Sequence, residues 1–292
     1  MRPSWDDHFP DRAVLAGEVE KMVSAFVETL RDVIPEGEIA GIYLKGSAYK
    51  EWESPLDYVP ELSDVDIHLR VVDSSAAEKR IQDTETALMV QSQVERRFSQ
   101  KVSDPLHVPR PQLLLLNTLE REENYVPSPR KTVKVLFGEE YPLGDYSDEC
   151  MIRAMDCKRL GEEAEYLRTF ALHAIDKPYK YIWTSVRTIN WHIAPSGPRI
   201  LSLLGMPPED AWSMNRTRVV AFLIEKGEEA VARDYSSYYT HGWKYFLSGY
   251  RDHDAARNAL SSAVRVLRRG VEIAGSWSSM HNLEGGGSCS RV

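Results

Sequence analysis

Three cysteines in 292 residues, Cys150, Cys157 and Cys289, are too few and too odd in number for a disulfide framework. Such a set argues for a reducing cytoplasm. Long apolar runs are also missing: the longest purely aliphatic one, Leu113 to Leu116, is far too short to span a bilayer. The N-terminus, MRPSWDDHFPD, is polar and acidic with no apolar signal core, which argues against secretion. No Cys/His spacing suits zinc and no His-Glu-x-x-His occurs. A Walker A loop, a Rossmann glycine fingerprint and a Gly-x-Ser-x-Gly elbow are all lacking, as are internal repeats.

What is present is an ordinary globular composition, 42% hydrophobic and 27% charged. The net charge of −8 is unevenly placed: residues 1–150 carry −12 and residues 151–292 carry +4. This asymmetry fits either a chance split of surface charge or two domains with different duties, the basic half meeting a polyanion.

Hydrophobic periodicity predicts an α+β chain, an N-terminal mixed sheet with flanking helices followed by an all-α domain. An amphipathic helix is expected over 13–34. Strands are expected over 39–44, 65–72, 112–116 and 132–137. A long helix reaches to about Lys101, opened by Asp73-Ser74-Ser75 with Ser75 and Glu78 as a capping box. Helices are expected over 149–176, 178–193, 207–226, 228–248 and 254–274, with Trp191 to Arg199 reading as a helix break. The expected domains are 1–145, 146–275 and a disordered tail, 276–292, whose end (LEGGGSCSRV) has the look of a fusion remnant.

One stretch carries chemistry: Leu44-Lys45-Gly46-Ser47, a loop, then Ser63-Asp64-Val65-Asp66-Ile67. On a strand, residues i and i+2 share a side, so Asp64 and Asp66 project together while Ile67 and Leu69 take the other face. Like charges so close disfavour one another unless a cation neutralises both. Mg²⁺ takes carboxylate oxygens and shares them with substrate phosphates. A glycine turn just before lets backbone approach a phosphate, and a serine hydroxyl adds a donor. The pair fits a solvent-exposed strand end as well.

These residues resemble the signature of the DNA polymerase beta-like nucleotidyltransferase superfamily: an apolar residue, Gly, Gly or Ser, a gap, then Asp-apolar-Asp-apolar. The resemblance covers about residues 39–140. Over 110–139 the layout is similar to aminoglycoside adenylyltransferases. It implies Mg²⁺-dependent transfer of a nucleoside monophosphate from a nucleoside triphosphate, with ATP expected, to a hydroxyl acceptor. Asp64 and Asp66 would ligate metal, and Gly46 and Ser47 would hold phosphates. A helical domain would supply the acceptor pocket. The acceptor stays open between a small molecule, RNA and a protein hydroxyl.

Two departures stand out. Sixteen residues separate Ser47 from Asp64, so 48–63 reads as an insertion: a lid, part of an acceptor pocket, or a tolerated surface loop. Where the family carries a third carboxylate stands Gln112, which has neither the charge nor the proton affinity. Glu120, Glu122 and Glu123 lie just beyond it. The alternative is therefore a catalytically impaired nucleotide-binding protein of the same fold. Among other candidates, Lys180 and Arg187 share a predicted helix face and would reach a triphosphate or form a solvated basic face; Lys177 precedes that helix. His68 and His192 read as structural before catalytic. The aromatic series Tyr235, Tyr238, Tyr239, Trp243, Tyr245, Phe246 and Tyr250 reads mostly as core.

Overall fold

The computed structural model describes residues 4–6, 8–72, 76–123 and 125–281. The chain is α+β and divides into two units. One comprises the chain up to Glu51 and Ser63–Gly144; the other comprises Trp52–Leu62 and the chain from Asp145 onward. Among the described residues no helix is long and apolar enough to cross a membrane.

The first unit is built on four strands, β1 (Ile39–Lys45), β2 (Asp64–Val71), β3 (Arg110–Leu115) and β4 (Lys134–Gly138), in the order β3-β2-β1-β4. β1 runs antiparallel to β2 and to β4, whereas β2 and β3 are parallel. A parallel pair needs a crossover. Here it is α2 (Ala76–Gln82) and α3 (Thr84–Lys101). The expected single helix is thus two, because Asp83 accepts from the Thr86 backbone N–H and starts a new helix. The capping residues Asp73-Ser74-Ser75 lie outside the described residues. α1 (Arg12–Val33) packs against α3 and touches β1 and β3.

β2 separates its faces by strict alternation. Val65, Ile67, Leu69 and Val71 are buried apolar residues. Asp64, Asp66, His68 and Arg70 take the other face. There Tyr43, Leu116, Val133 and Tyr141 form a small apolar cluster, with Leu116 opening the short α4 (Leu116–Leu119).

The second unit is helical: α5 (Glu149–Ile175), α6 (Ile182–Leu203), α7 (Pro208–Ser213), α8 (Arg216–Glu225), α9 (Glu229–Leu247) and α10 (His253–Met280). Its core takes most of the aromatic series: Tyr235, Tyr238, Tyr239, Trp243 and Tyr245 are essentially fully buried. Several sequence expectations need correction. The helix break at 191–199 does not occur, and α6 runs through Pro195 and Pro198. A proline removes the N–H that would bond the carbonyl four residues back. For Pro198 that carbonyl is Ala194 O, which accepts instead from Tyr235 Oη at 3.3 Å. Ser196 Oγ donates to His192 O nearby. The expected helix over 207–226 is divided because Asn215 accepts from Arg218 N and begins α8.

The tail was expected from Ser276, but α10 continues to Met280, since Trp277 is 5% exposed and extends the stripe of Ile273 and Ala274. Residues 282–292 lie outside the described residues. Arg265 makes two hydrogen bonds to Asp234, at 3.0 and 2.8 Å. Arg269 pairs with Glu228 and Glu272.

The 48–63 segment departs most from expectation. β1 and β2 are joined through the helical unit, and residues 52–62 are neither an exposed loop nor a lid. Leu56, Tyr58, Val59 and Leu62 are at most 1% exposed, and Trp52 stacks on Tyr58 with ring centroids 4.3 Å apart. Trp243 Nε1 donates to Pro55 O at 2.7 Å and Asn190 Nδ2 to Leu62 O at 2.7 Å. Gly242 lets α9 approach closely, because a side chain there would strike Leu62. This segment is a plug of the helical core.

Candidate active site

The sheet register assembles the candidate site within the first unit. Asp66 stands between Lys45 of β1 and Gln112 of β3, and Asp64 beside Arg110. The row Gln112–Asp66–Lys45 therefore crosses three strands on one face. One row further along, His68 pairs across β1 with Tyr43.

Gly46 begins a single 3-10 turn, Gly46–Ala48, straight after β1. Tyr49 N and Lys50 N both donate to Gly46 O and close it. Gly46 has φ of +75°, and any Cβ on it would collide with Asp66 Oδ2. So the glycine is required twice, for its left-handed conformation and for the carboxylate packed on its Cα. We predict that Gly46→Ala costs about 1–2 kcal/mol for the backbone alone and also displaces the Asp66 carboxylate. Urea unfolding checks the first effect, and the nucleotide titration described below checks the second.

Neither aspartate sits at a solvent-exposed strand end. Asp64 is 8% exposed and accepts from Arg110 Nε at 2.9 Å. Asp66 is partly buried. Lys45, also partly buried, donates from Nζ to Ser128 Oγ at 3.0 Å. Burial pulls the Lys45 pKa below the ordinary lysine value, and the charge of Asp66 works against that shift. Thus each carboxylate has a protein cation for a neighbour.

His68 is fully buried, with Nδ1 3.2 Å from Tyr141 Oη and, among the described residues, no partner for Nε2. Burial, helped by the charge of Lys45, holds its pKa down at about 3. It is a neutral core histidine. Glu120 does not replace the missing third carboxylate: its Oε2 is 3.5 Å from Arg70 Nε, and Arg70 is four residues along β2 from Asp66. Glu122 and Glu123 are exposed in the following turn.

The structure brings Gly46, Ser47, Asp64, Asp66 and Gln112 into one region of the sheet unit. Lys180 belongs to the helical unit. It lies on the 3-10 turn Tyr179–Tyr181, before α6, and is exposed with Nζ 5.2 Å from the Tyr181 ring centroid. It therefore shares no helix face with Arg187. Arg187 is not a solvated cation either, since it donates to Leu62 O at 3.3 Å. His192 donates or accepts through Nδ1 with the buried Glu163 at 2.7 Å and stacks on Tyr166, a packed arrangement. Sequence reasoning missed Lys45, Arg110 and Ser128. Two of them carried a signal: Arg110 lies two residues before Gln112 on the same strand face, and Lys45 immediately precedes the glycine.

The donor set fits one Mg²⁺ and not two. Asp64 and Asp66 offer two carboxylates on one face, and Mg²⁺ commonly binds through one or two carboxylates plus substrate phosphates. A second ion would need a further anionic ligand, and Gln112 supplies a neutral amide. Among the described residues no group of three or more His, Cys, Asp or Glu side chains is placed to hold a metal. Comparison with protein-family models, with curated proteins and with solved structures gives no match.

Proposed function

We propose that the chain is a nucleotidyltransferase whose sheet unit binds a nucleoside triphosphate, ATP by expectation, with Mg²⁺. The transferred group would be a nucleoside monophosphate, and the acceptor a hydroxyl. One observation carries this reading: Asp64 and Asp66, alternate residues of β2, project on the face where the Gly46 turn lies against the Asp66 carboxylate. That arrangement sets two anionic oxygen ligands beside a glycine turn, the pairing that nucleotidyl transfer requires.

Asp64 and Asp66 would hold the ion, which supplies Lewis-acid charge to the phosphates when bound. The chain's own residues have separate duties. Gly46, lacking a side chain, lets the Asp66 carboxylate lie against the turn. The Ser47 hydroxyl donates to a phosphate oxygen. Arg110 keeps the Asp64 carboxylate oriented through its 2.9 Å hydrogen bond.

Binding without transfer is the second reading. Gln112, in register beside Asp66, favours it. An amide there neither takes a proton from an acceptor hydroxyl nor adds negative charge. Pyrophosphate release separates the two. The chain is incubated with each nucleoside triphosphate and Mg²⁺, alone and with hydroxyl acceptors. Release that disappears in Asp66→Ala supports transfer. Saturable binding with no release supports the second reading.

A further inference from the structure

The acid pair of β2 is neutralised from within the protein. Arg110 and Lys45 stand on either side of it, from β3 and β1, and carry two positive charges against the two carboxylates. In a two-ion site those charges would come from metal. The neutral Gln112 removes the anionic ligand on which a second ion would depend. Lys45 is fixed by strand pairing, by its position just before the Gly46 turn and by its 3.0 Å hydrogen bond to Ser128. Its ammonium therefore lies on the same face as the carboxylates, beside the turn that would receive phosphate.

We infer that Lys45 and Arg110 stand in for the second metal ion, holding the phosphate charge of a bound nucleoside triphosphate so that its binding persists without divalent cation. The inference rests on the triphosphate reading above. On binding, a phosphate oxygen takes the place of Ser128 Oγ as acceptor for Lys45. The Arg110 guanidinium, a planar charged fork, would face a second oxygen. Charge-assisted bonds of this kind are short and stronger than neutral ones. The positions also explain why each cation is where it is. Lys45, next to the glycine, serves the phosphates at the turn. Arg110, 43% exposed, serves from the edge strand.

The test is calorimetric titration of ATP into the full chain, in Mg²⁺ and again in EDTA, for wild type, Lys45→Met and Arg110→Met. Methionine keeps the apolar stem of either side chain, and thermal melting by circular dichroism checks that each variant folds. Arg110→Met, at a half-exposed position, decides the matter if Lys45→Met does not fold. Wild type is expected to lose about tenfold in affinity on removal of Mg²⁺ and still to bind, and each variant to lose about tenfold or more beyond that in EDTA. The loss in Mg²⁺ is smaller. Wild-type binding that is present in Mg²⁺ and absent in EDTA overturns the fixed-cation inference and leaves the triphosphate site standing. Equal affinities of wild type and both variants in EDTA also overturn it. No binding in either condition removes the site and the inference together.

Discussion

Replacing Asp57 by alanine destabilises the helical unit by about 3–5 kcal/mol, the range for leaving several buried donors unpaired. Asp57 is 2% exposed and its carboxylate accepts four hydrogen bonds. Oδ2 takes Glu53 N at 2.8 Å, Ser54 N at 3.0 Å and Thr217 Oγ1 at 2.7 Å, and Oδ1 takes Thr217 N at 2.8 Å. Thr217 is the second residue of α8, so Asp57 and the N-cap Asn215 share the capping of that helix. Alanine would strand the three backbone N–H donors at once and leave Thr217 Oγ1 only Ser54 Oγ. Asp57→Asn keeps one acceptor oxygen and should cost less. Urea unfolding followed by circular dichroism measures both, and a loss below about 1 kcal/mol for Asp57→Ala would contradict the structural role given to residues 52–62.

Acid weakens the sheet unit through His68. Its pKa in the fold is about 3, below the 6.5 of an unburied imidazole. Folding therefore favours the neutral ring. That contribution is complete above pH 6.5 or so and is lost as the pH falls toward 3, because the unfolded chain binds the proton first. Each unit costs about 1.4 kcal/mol, or about 2.5 kcal/mol between pH 6.5 and 4.5. His68→Gln removes the titrating group. The stability difference between wild type and His68→Gln should move against wild type by that amount between pH 7 and pH 4.5, in urea titrations at each pH. A difference that does not change with pH would show that His68 is charged or solvated in the fold.

The α+β order and the face shared by Asp64 and Asp66 were readable in the sequence because both follow from simple periods. Two-residue alternation fixes which side chains of β2 point together. Gly46 after an apolar strand announces a turn. Register carries no such local signal. That Gln112 sits beside Asp66, and that Lys45 and Arg110 flank the acids, depends on long-range pairing among β1, β2 and β3. The burial of the 52–62 loop was missed for a similar reason. Its Pro55, Pro60 and acids look like loop, and their partners, Thr217, Asn190 and Trp243, lie more than a hundred residues away. α6 passes through Pro195 and Pro198 because a tyrosine on another helix satisfies a carbonyl the proline abandons, a compensation invisible to local propensity. A fragment beginning at Asp145 would lack the 52–62 plug, so the boundary between units is not one cut in the chain.

Equilibrium titration of ATP with Mg²⁺ into wild type and into Asp64→Ala/Asp66→Ala probes the acid pair itself. Saturable binding to wild type is expected, with a loss of about tenfold or more, roughly 1.4 kcal/mol, in the double variant. Equal affinity of the two proteins for Mg²⁺ and ATP would contradict the assignment of this acid pair as the nucleotide site.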